Sequence, residues 1–274
     1  MKTTIIGCGY LGLAPAEKLH QNRHFLTCTT INPRSIKKLK KTTQKSLIMR
    51  GTDKNEVFLI LEDNDTIIVT VEAKNSDEFE NTYLQTAHTI KECAKEIEAP
   101  KRIIFTSKTS VYGNHDGMWV DESTPLKAKD DFARILIDTE NTILSLNDFG
   151  WRVAILRLTQ VYGGENHEII DLFKESYKKV LTGHSDYYTN MVHRDDVVGI
   201  ISYLIDHDIR GIYNLADDEH PTREEFAKKI CAKLNLDIPK YDPTLADFPD
   251  NNKRVANYRI KEKGYIFKHP NRVI

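Results

Sequence analysis

The sequence has few cysteines and none of the patterns that cysteines form at metal or disulfide sites. Its 274 residues include four cysteines, and no two of them form a CxxC pair. Zinc sites and disulfide frameworks usually need closely and regularly spaced cysteines. We therefore expect no metal site, no disulfide bonds and a location in a reducing cytoplasm.

Long apolar runs and an excess of one charge are also missing. No uninterrupted apolar stretch approaches the roughly 20 residues that a membrane-spanning helix needs. The chain begins with residues typical of a strand, so we expect no signal peptide. Its 39 basic and 40 acidic residues give a formal net charge of -1, whereas nucleic-acid-binding domains usually carry a basic excess. We therefore expect neither a membrane nor a nucleic acid as a partner.

The order of apolar segments predicts an α/β fold. Strand-like segments occur at residues 3–6, 24–30, 46–49, 66–71, 102–106 and 151–158. Helix-like segments lie between them at 11–19, 35–41, 79–98 and 130–146. Strands that alternate with helices at this spacing form parallel sheets with crossover helices. Pro15 falls in the first helix, and we expect it near the first turn, where proline is tolerated.

The second half of the chain continues the alternation less regularly. A helix is predicted at 195–205, a strand at 211–215, and a helix at 222–234 that begins with the capping pair Thr222 and Glu225. We predict a Rossmann-type doubly wound parallel sheet in residues 1–160, which also takes in 191–215. Residues 161–190 and 216–274 are predicted to form a smaller C-terminal α/β lobe.

A glycine-rich loop follows the first strand directly. Its sequence is Gly7-Cys8-Gly9-Tyr10-Leu11-Gly12, the pattern GxGxxG between a strand and a helix. Gly7 permits a tight turn, Gly9 lets the backbone approach a pyrophosphate, and Gly12 lets the helix pack closely on the strand. The N-terminus of the following helix attracts phosphate groups. The loop, including Cys8, Tyr10 and Leu11, therefore predicts a dinucleotide-binding site.

The end of the second strand bears on the choice of dinucleotide. NAD-binding folds usually carry an Asp or Glu there, which holds the ribose 2′-hydroxyl. This chain has Thr29, Thr30 and Arg34 instead, which favours the 2′-phosphate of NADP(H) over NAD(H). The alternative is that Arg34 is simply an exposed charge. Cys8 has two interpretations as well, as a redox-sensitive thiol or as a small buried side chain.

Further motifs carry a family resemblance over nearly the whole chain. They are the GxGxxG loop, Phe105–Gly113 (FTSKTSVYG), Asp121-Glu122, Leu156–Leu158 followed by Val161–Gly163, Val192–Val197 (VHRDDV) and Gly211–Leu215. The chain resembles the extended short-chain dehydrogenase/reductases, the family of nucleotide-sugar epimerases and dehydratases, and within it an atypical branch. The resemblance implies a small-molecule substrate such as a nucleotide sugar, and a homodimer formed through helices 79–98 and 130–146.

The resemblance fails at the residues that normally transfer protons. Family members use a Ser or Thr, a Tyr and a Lys, and the matching positions here hold Lys108, Phe132 and Leu136. No tyrosine occurs between Tyr112 and Tyr162, so a shift of the alignment does not restore the set. Lys108 is the candidate substitute acid, on the expectation that it is desolvated, with Ser107, Thr109 and Tyr112 assisting. The alternatives are a surface or phosphate-binding role for Lys108 and a packing role for Tyr112.

The resemblance also suggests which residues border the substrate. Tyr162, Asn190 and His193 match family positions in the lobe that closes over it, whereas Asp195 or Asp196 is expected to cap the next helix. Two functions stay open. One is an epimerase, dehydratase or reductase with an altered proton-transfer set, and the polar lobe favours it. The other is a catalytically inactive dinucleotide sensor or regulatory protein, and the missing triad favours that.

Overall fold

The central feature of the computed structural model is a seven-stranded parallel sheet. The structure describes residues 1–164, 168–245 and 251–274. The strands of this sheet are β1 (Lys2–Ile6), β2 (Phe25–Thr30), β3 (Lys45–Ile48), β4 (Thr66–Val69), β5 (Arg102–Lys108), β7 (Arg152–Leu158) and β11 (Gly211–Leu215). Their spatial order is β3-β2-β1-β4-β5-β7-β11. The order reverses beside β1, as in doubly wound folds, so the predicted Rossmann-type class is confirmed.

Outside this sheet, the described residues form six short strands that pair two by two. They are β6 (Trp119–Val120), β8 (Gln160–Tyr162), β9 (Val180–Thr182), β10 (Met191–His193), β12 (Lys240–Asp242) and β13 (Arg254–Val255). β10 pairs with β8, β12 with β9, and β13 with β6, all in parallel.

The helices follow the predicted alternation with three differences. They are α1 (Tyr10–Gln21), α2 (Ile36–Leu39), α3 (Lys54–Asp63), α4 (Thr86–Ala94), α5 (Asp131–Leu144), α6 (Ile169–Ser176), α7 (Arg194–Asp206), α8 (Arg223–Leu234) and α9 (Tyr258–Glu262). Helices α3, α6 and α9 were not predicted, since the apolar residues of α3 do not follow a clear helical period and the other two helices are short. A π-helical turn at Asn81–Gln85 precedes α4 within the predicted long helix. Pro15 lies inside α1 and is buried, so the expectation of a first-turn position was wrong.

Contacts within the chain divide it into two compact units. The first comprises residues 1–108, 131–157 and 198–213, and the second 109–130, 158–197 and 214–274. The second unit therefore includes 109–130 and 191–197, which the boundaries drawn from the sequence assign to the dinucleotide-binding domain. No helix in the described ranges is long and apolar enough to cross a membrane.

The first unit is built around the strands β1, β4 and β5. Ile5, Ile68 and Ile104, one from each strand, have no solvent exposure. β-Branched residues on consecutive positions are typical of parallel strands that helices cover on both faces. The apolar middle of the sheet thus fixes where the loops at its carboxyl edge begin.

One buried ion pair also lies in the first unit. Glu140 on α5 and Arg157 on β7 have side chains only 1% and 3% exposed. Arg157 Nη2 donates to Glu140 Oε2 at 2.7 Å, and Arg157 Nε donates to both carboxylate oxygens at 3.1 Å. The two-point geometry compensates the desolvation of both charges.

We predict that Glu140→Gln destabilises the fold by about 3 kcal/mol or more, because it removes the carboxylate charge opposite a buried guanidinium. Asp131→Asn is the matched control, since Asp131 pairs with Arg134 at the surface of the same helix and should contribute less than about 1 kcal/mol. Urea denaturation followed by circular dichroism measures both. Equal losses in the two variants would contradict the assignment.

Candidate functional site

Two glycines of the GxGxxG loop are required by close backbone packing. Gly7 has φ +92°, and a Cβ there would lie 2.9 Å from the Val71 backbone. A Cβ on Gly12 would lie 2.5 Å from Thr70 Oγ1 and 2.6 Å from the Gly7 carbonyl oxygen. Real Cβ atoms do not come this close to backbone, so the end of β4 and the start of α1 pack only because both residues lack a side chain.

Gly9 differs from its two neighbours, because packing does not require it. A Cβ on Gly9 would meet no atom within 4 Å. Gly9 is exposed, and α1 begins directly after it. The helix has neither a side-chain cap nor an acidic residue in its first turn. Tyr10 and Leu11 in that turn are half-buried. An uncapped helix start beside a bare backbone is the arrangement that binds phosphate groups. The loop therefore fits the pyrophosphate of a dinucleotide.

Threonine hydroxyls hold the loop from both sides. Gly7 N–H donates to Thr29 Oγ1 at 3.2 Å, and Thr70 Oγ1 donates to the Gly7 carbonyl at 3.0 Å. Thr30 Oγ1 accepts the N–H of Asn32 at 3.1 Å. Thr29 and Thr30 thus support backbone in this structure. Thr70 was missed, because only the sheet brings it to the loop.

Arg34 lies in an exposed turn after β2. Asn32 Oδ1 accepts the N–H of Arg34 at 3.0 Å and so shapes this turn. Both residues are exposed. The side chain of Arg34 is therefore open to solvent. It lies after the second strand, the segment that contacts the adenosine ribose in dinucleotide-binding folds.

Cys8 is a buried side chain beneath the loop. Its exposure is 3%, and Sγ lies 3.6 Å from the Ile5 carbonyl oxygen. Burial raises the pKa of the Cys8 thiol well above its usual value, and the neighbouring Cys28 adds to this. Because the thiolate is the reactive form, these properties fit the packing interpretation and argue against a redox-sensitive thiol.

At the end of β5, Lys108 forms an ion pair. Its Nζ lies 2.6 Å from Glu72 Oε1, and its side chain is 39% exposed. The expected desolvation of Lys108 is therefore wrong, because the carboxylate after β4 pairs with it at the surface. The preceding Ser107 is buried, and its Oγ has no hydrogen-bond partner among the residues that the structure describes.

Glu72 joins Lys108 to a tyrosine that the sequence did not single out. Tyr83 donates its hydroxyl proton to Glu72 Oε2 at 3.4 Å, and Lys108 Nζ lies 5.9 Å from the centre of the Tyr83 ring. Burial and the Glu72 charge raise the pKa of Tyr83. We call Glu72, Tyr83 and Lys108 the Glu72 cluster. It combines a carboxylate, a phenol and an ammonium group at the carboxyl edge of β4 and β5.

The two other positions that the resemblance matches to the triad hold apolar side chains. Phe132 is 40% exposed and packs edge to face on Phe79, with ring centres 4.9 Å apart. Leu136 is buried. These positions serve packing in the first unit.

In the second unit, the assisting residues Thr109 and Tyr112 are both buried. Tyr112 has no exposure, and its hydroxyl donates to Asn214 Oδ1 at 2.7 Å. This environment supports the packing interpretation of Tyr112.

The three predicted substrate-binding residues take part in the second unit's internal contacts. Tyr162 is fully buried in a cluster that includes Ile169 and Phe173, and its hydroxyl accepts the N–H of Val273 at 3.2 Å. Asn190 Nδ2 donates to the Lys253 carbonyl at 2.9 Å. His193 is buried, and burial lowers its pKa. All three hold the unit together.

The start of α7 is capped by a histidine. His193 Nδ1 accepts the N–H of Asp195 at 3.1 Å, so neither Asp195 nor Asp196 is the cap. Asp196 is fully buried and accepts the backbone N–H groups of Lys268 and His269 at 2.6 and 2.9 Å. The aspartate therefore anchors the C-terminal segment, a contact too distant in sequence to predict.

A partly apolar cavity of about 200 Å³ lies within the second unit. Phe173, Phe226 and Tyr241 supply aromatic walls, and Arg223 lies over the Tyr241 ring at 4.9 Å. Arg223 is fixed by a hydrogen bond from Nη1 to the Thr182 carbonyl at 2.8 Å. Aromatic and guanidinium surfaces suit a flat, polar ring.

Comparison with protein families agrees with the interpretation of the glycine loop as a dinucleotide-binding element. The model of the NAD dependent epimerase/dehydratase family matches residues 4–216. This chain belongs to that family. Protein YeeZ of Escherichia coli strain K12 is 27% identical to this chain over 280 aligned positions, covering 100% of this chain and 98% of that protein.

Solved structures share the same fold. The dTDP-glucose 4,6-dehydratase of Bacillus anthracis, solved with NAD, superposes with a TM-score of 0.82 at 16% identity, over 98% of this chain and 92% of that one. The UDP-glucose 4-epimerase of Thermotoga maritima, solved with UDP-glucose, superposes with a TM-score of 0.79 at 17% identity, over 96% and 92%. The comparisons thus agree with the α/β fold and with a glycine loop placed between β1 and α1.

We predict that alanine at Gly9 and at Gly12 separates binding from folding. Gly9→Ala should leave the melting temperature nearly unchanged and weaken dinucleotide binding at least tenfold, because the new methyl group enters only the space next to the loop. Gly12→Ala should lower the melting temperature by several degrees, since its Cβ meets backbone.

Differential scanning fluorimetry and nicotinamide fluorescence measure the two effects. Unchanged dinucleotide affinity in a folded Gly9→Ala variant would contradict the binding role of the loop.

Proposed function

We propose that this chain is an NAD(P)(H)-dependent epimerase, dehydratase or reductase that acts on a nucleotide sugar or a similar polar substrate. The observation that carries the proposal is the pairing of a complete dinucleotide loop with the Glu72 cluster in the same unit. Membership of an NAD-dependent family supports dinucleotide binding. The cluster supplies titratable groups in place of the usual triad, for which we find no match. The protein is proposed to work in the cytoplasm.

The chain's own residues would hold the dinucleotide. Gly7, Gly9 and the start of α1 bind the pyrophosphate, while Thr29 and Thr70 keep the loop in place. Ser107, whose buried hydroxyl lacks a partner among the described residues, can donate to the ribose or carboxamide side of the cofactor. The nicotinamide ring supplies hydride acceptance and donation, which no side chain can provide.

We propose a preference for NADP(H). Arg34 is exposed in the turn after β2, and no acidic residue occupies the end of that strand to hold a ribose 2′-hydroxyl. A guanidinium can bind the 2′-phosphate with two hydrogen bonds. NAD is bound in the dehydratase structure compared above, so the preference for NADP(H) rests on Arg34 and on the missing acidic residue in this chain.

Arg34→Ala should weaken NADPH binding about tenfold and leave NADH binding unchanged, because a charge-assisted contact contributes about 1.5 kcal/mol or more. Lys40→Ala removes an exposed charge nearby and serves as the control. Isothermal titration calorimetry of each variant with NADPH and with NADH measures the ratio of the two dissociation constants. Equal weakening of both, or of neither, would rule out the assignment.

The cavity in the second unit suits the nucleotide part of the substrate. Its aromatic walls and the fixed Arg223 offer stacking to a base and positive charge to a phosphate. The epimerase compared above was solved with UDP-glucose, which makes uridine and thymidine diphosphate sugars the first substrates to try.

Proton transfer is assigned to the Glu72 cluster. Lys108, paired with Glu72, can give a proton to an oxygen that gains negative charge, and Glu72 can accept a proton from a hydroxyl. Tyr83 holds the carboxylate through its hydroxyl hydrogen bond and is a positioning residue. Phe132 and Leu136 cannot take part.

Lys108→Met and Glu72→Gln should each lower kcat about a hundredfold or more on the nucleotide sugar that supports turnover, with dinucleotide affinity nearly unchanged. Lys95→Met is the matched control, because Lys95 also pairs with an exposed carboxylate, that of Glu92, at the C-terminal end of α4. A diphosphate-sugar panel, followed by absorbance of the nicotinamide and by product analysis, measures turnover. Full activity in both cluster variants would exclude the cluster.

A second candidate is a dinucleotide-dependent regulatory protein. The apolar residues matched to two triad positions favour it, because the side chains of Phe132 and Leu136 have no titratable group that could transfer a proton. Phe132 is also exposed on α5, one of the two helices through which we propose that the protein forms a homodimer. Tight dinucleotide binding without turnover of any diphosphate sugar would favour this candidate over the enzyme.

A further inference from the structure

A group of potential metal ligands lies in the second unit. One ligand atom each of His193, Asp195 and His269 lies within 4.8 Å of the others. His193 and Asp195 come from the junction of β10 and α7, and His269 comes from the C-terminal segment. The centres of the two imidazole rings are 3.8 Å apart. We call these three residues the histidine–aspartate cluster.

His269 has a nitrogen without a conventional partner. Its Nε2 is buried and makes no hydrogen bond to any residue that the structure describes. The carboxylate oxygen Oδ2 of Asp195 lies 3.6 Å away, which is too far for a good hydrogen bond. Two ligands of a tetrahedral zinc ion, at bond lengths of about 2.0–2.2 Å, lie roughly 3.3–3.6 Å apart. The observed separation is close to that of two ligands on one ion.

The backbone around His269 is held in place by Asp196. This buried carboxylate accepts the N–H groups of Lys268 and His269 at 2.6 and 2.9 Å, and the Tyr265 hydroxyl at 3.2 Å. Metal sites need ligands that are positioned in advance by such outer hydrogen bonds. The segment that carries His269 is therefore fixed next to His193 by contacts that do not use the cluster itself.

We propose that His193, Asp195 and His269 bind a divalent transition-metal ion of the Zn²⁺ class. Two imidazoles and one carboxylate are ligands that such ions favour, and three protein ligands leave a fourth position for water or a small anion. His193 Nδ1 accepts the Asp195 N–H, so ligation at Nδ1 replaces that hydrogen bond, and ligation at Nε2 moves the ring proton to Nδ1. The site was not predicted, because its histidines are far apart in the sequence.

The ion pair of Lys268 shows that the Asp195 carboxylate already holds a cationic group. Its Nζ lies 2.8 Å from Asp195 Oδ2, and its side chain is 66% exposed. A metal ion on the same carboxylate takes the place of this ammonium group, which can turn into solvent. Removing the lysine should therefore strengthen metal binding.

The test uses the full-length protein after chelator treatment, titrated with Zn²⁺ alone by calorimetry and with Co²⁺ by visible absorption. We expect one Zn²⁺ per chain, Co²⁺ bands typical of four-coordinate sites, and a higher melting temperature with Zn²⁺. His269→Ala and Asp195→Asn should each weaken binding at least tenfold, whereas Lys268→Ala should tighten it severalfold. His207→Ala removes an exposed histidine just after α7 and should change nothing.

Two results would overturn the proposal. The first is the absence of saturable Zn²⁺ binding. The second is binding that persists unchanged in folded His269→Ala and Asp195→Asn variants, which would assign the ion to other residues. Both results are independent of dinucleotide binding, because neither cofactor nor substrate is present in the titration.

Discussion

The close packing of the glycine loop against the end of β4 is the constraint on which the candidate site depends. Gly7 has a left-handed conformation and the Val71 backbone leaves no room for a Cβ there, while Gly12 lets α1 approach the Gly7 carbonyl. Thr70, directly before Val71, locks this contact with its hydroxyl. The same two residues lead into Glu72, so one backbone arrangement orients both the phosphate loop and the start of the Glu72 cluster.

The sequence predicted the fold and the loop well because both are local signals. A strand, a GxGxxG turn and a helix are contiguous, and the β-branched runs of β1, β4 and β5 record their burial on both faces. Helix α3 and the π-helical turn before α4 were missed, since neither leaves a distinct periodicity. The predicted boundaries also differ from the two compact units, because contacts and not chain order assign residues 109–130.

The candidate catalytic residues were only partly accessible from the sequence. The resemblance matched Phe132 and Leu136 to the family's Tyr and Lys, and it selected Lys108 by position, so these assignments stay predictions. Its partner Glu72 and the supporting Tyr83 come from another strand end and another helix, so only the folded sheet brings them together. Tyr162, Asn190 and His193 were matched to substrate-binding positions by resemblance, and the structure places their side chains in internal contacts of the second unit.

The proposed function depends on dinucleotide binding at the glycine loop. The most direct test is a fluorescence titration of the purified protein with NADPH and with NADH. We expect saturable binding of one dinucleotide per chain, with NADPH bound more tightly. Failure of both dinucleotides to bind, in protein that melts cooperatively, would contradict the central claim and leave a family fold that no longer holds a cofactor.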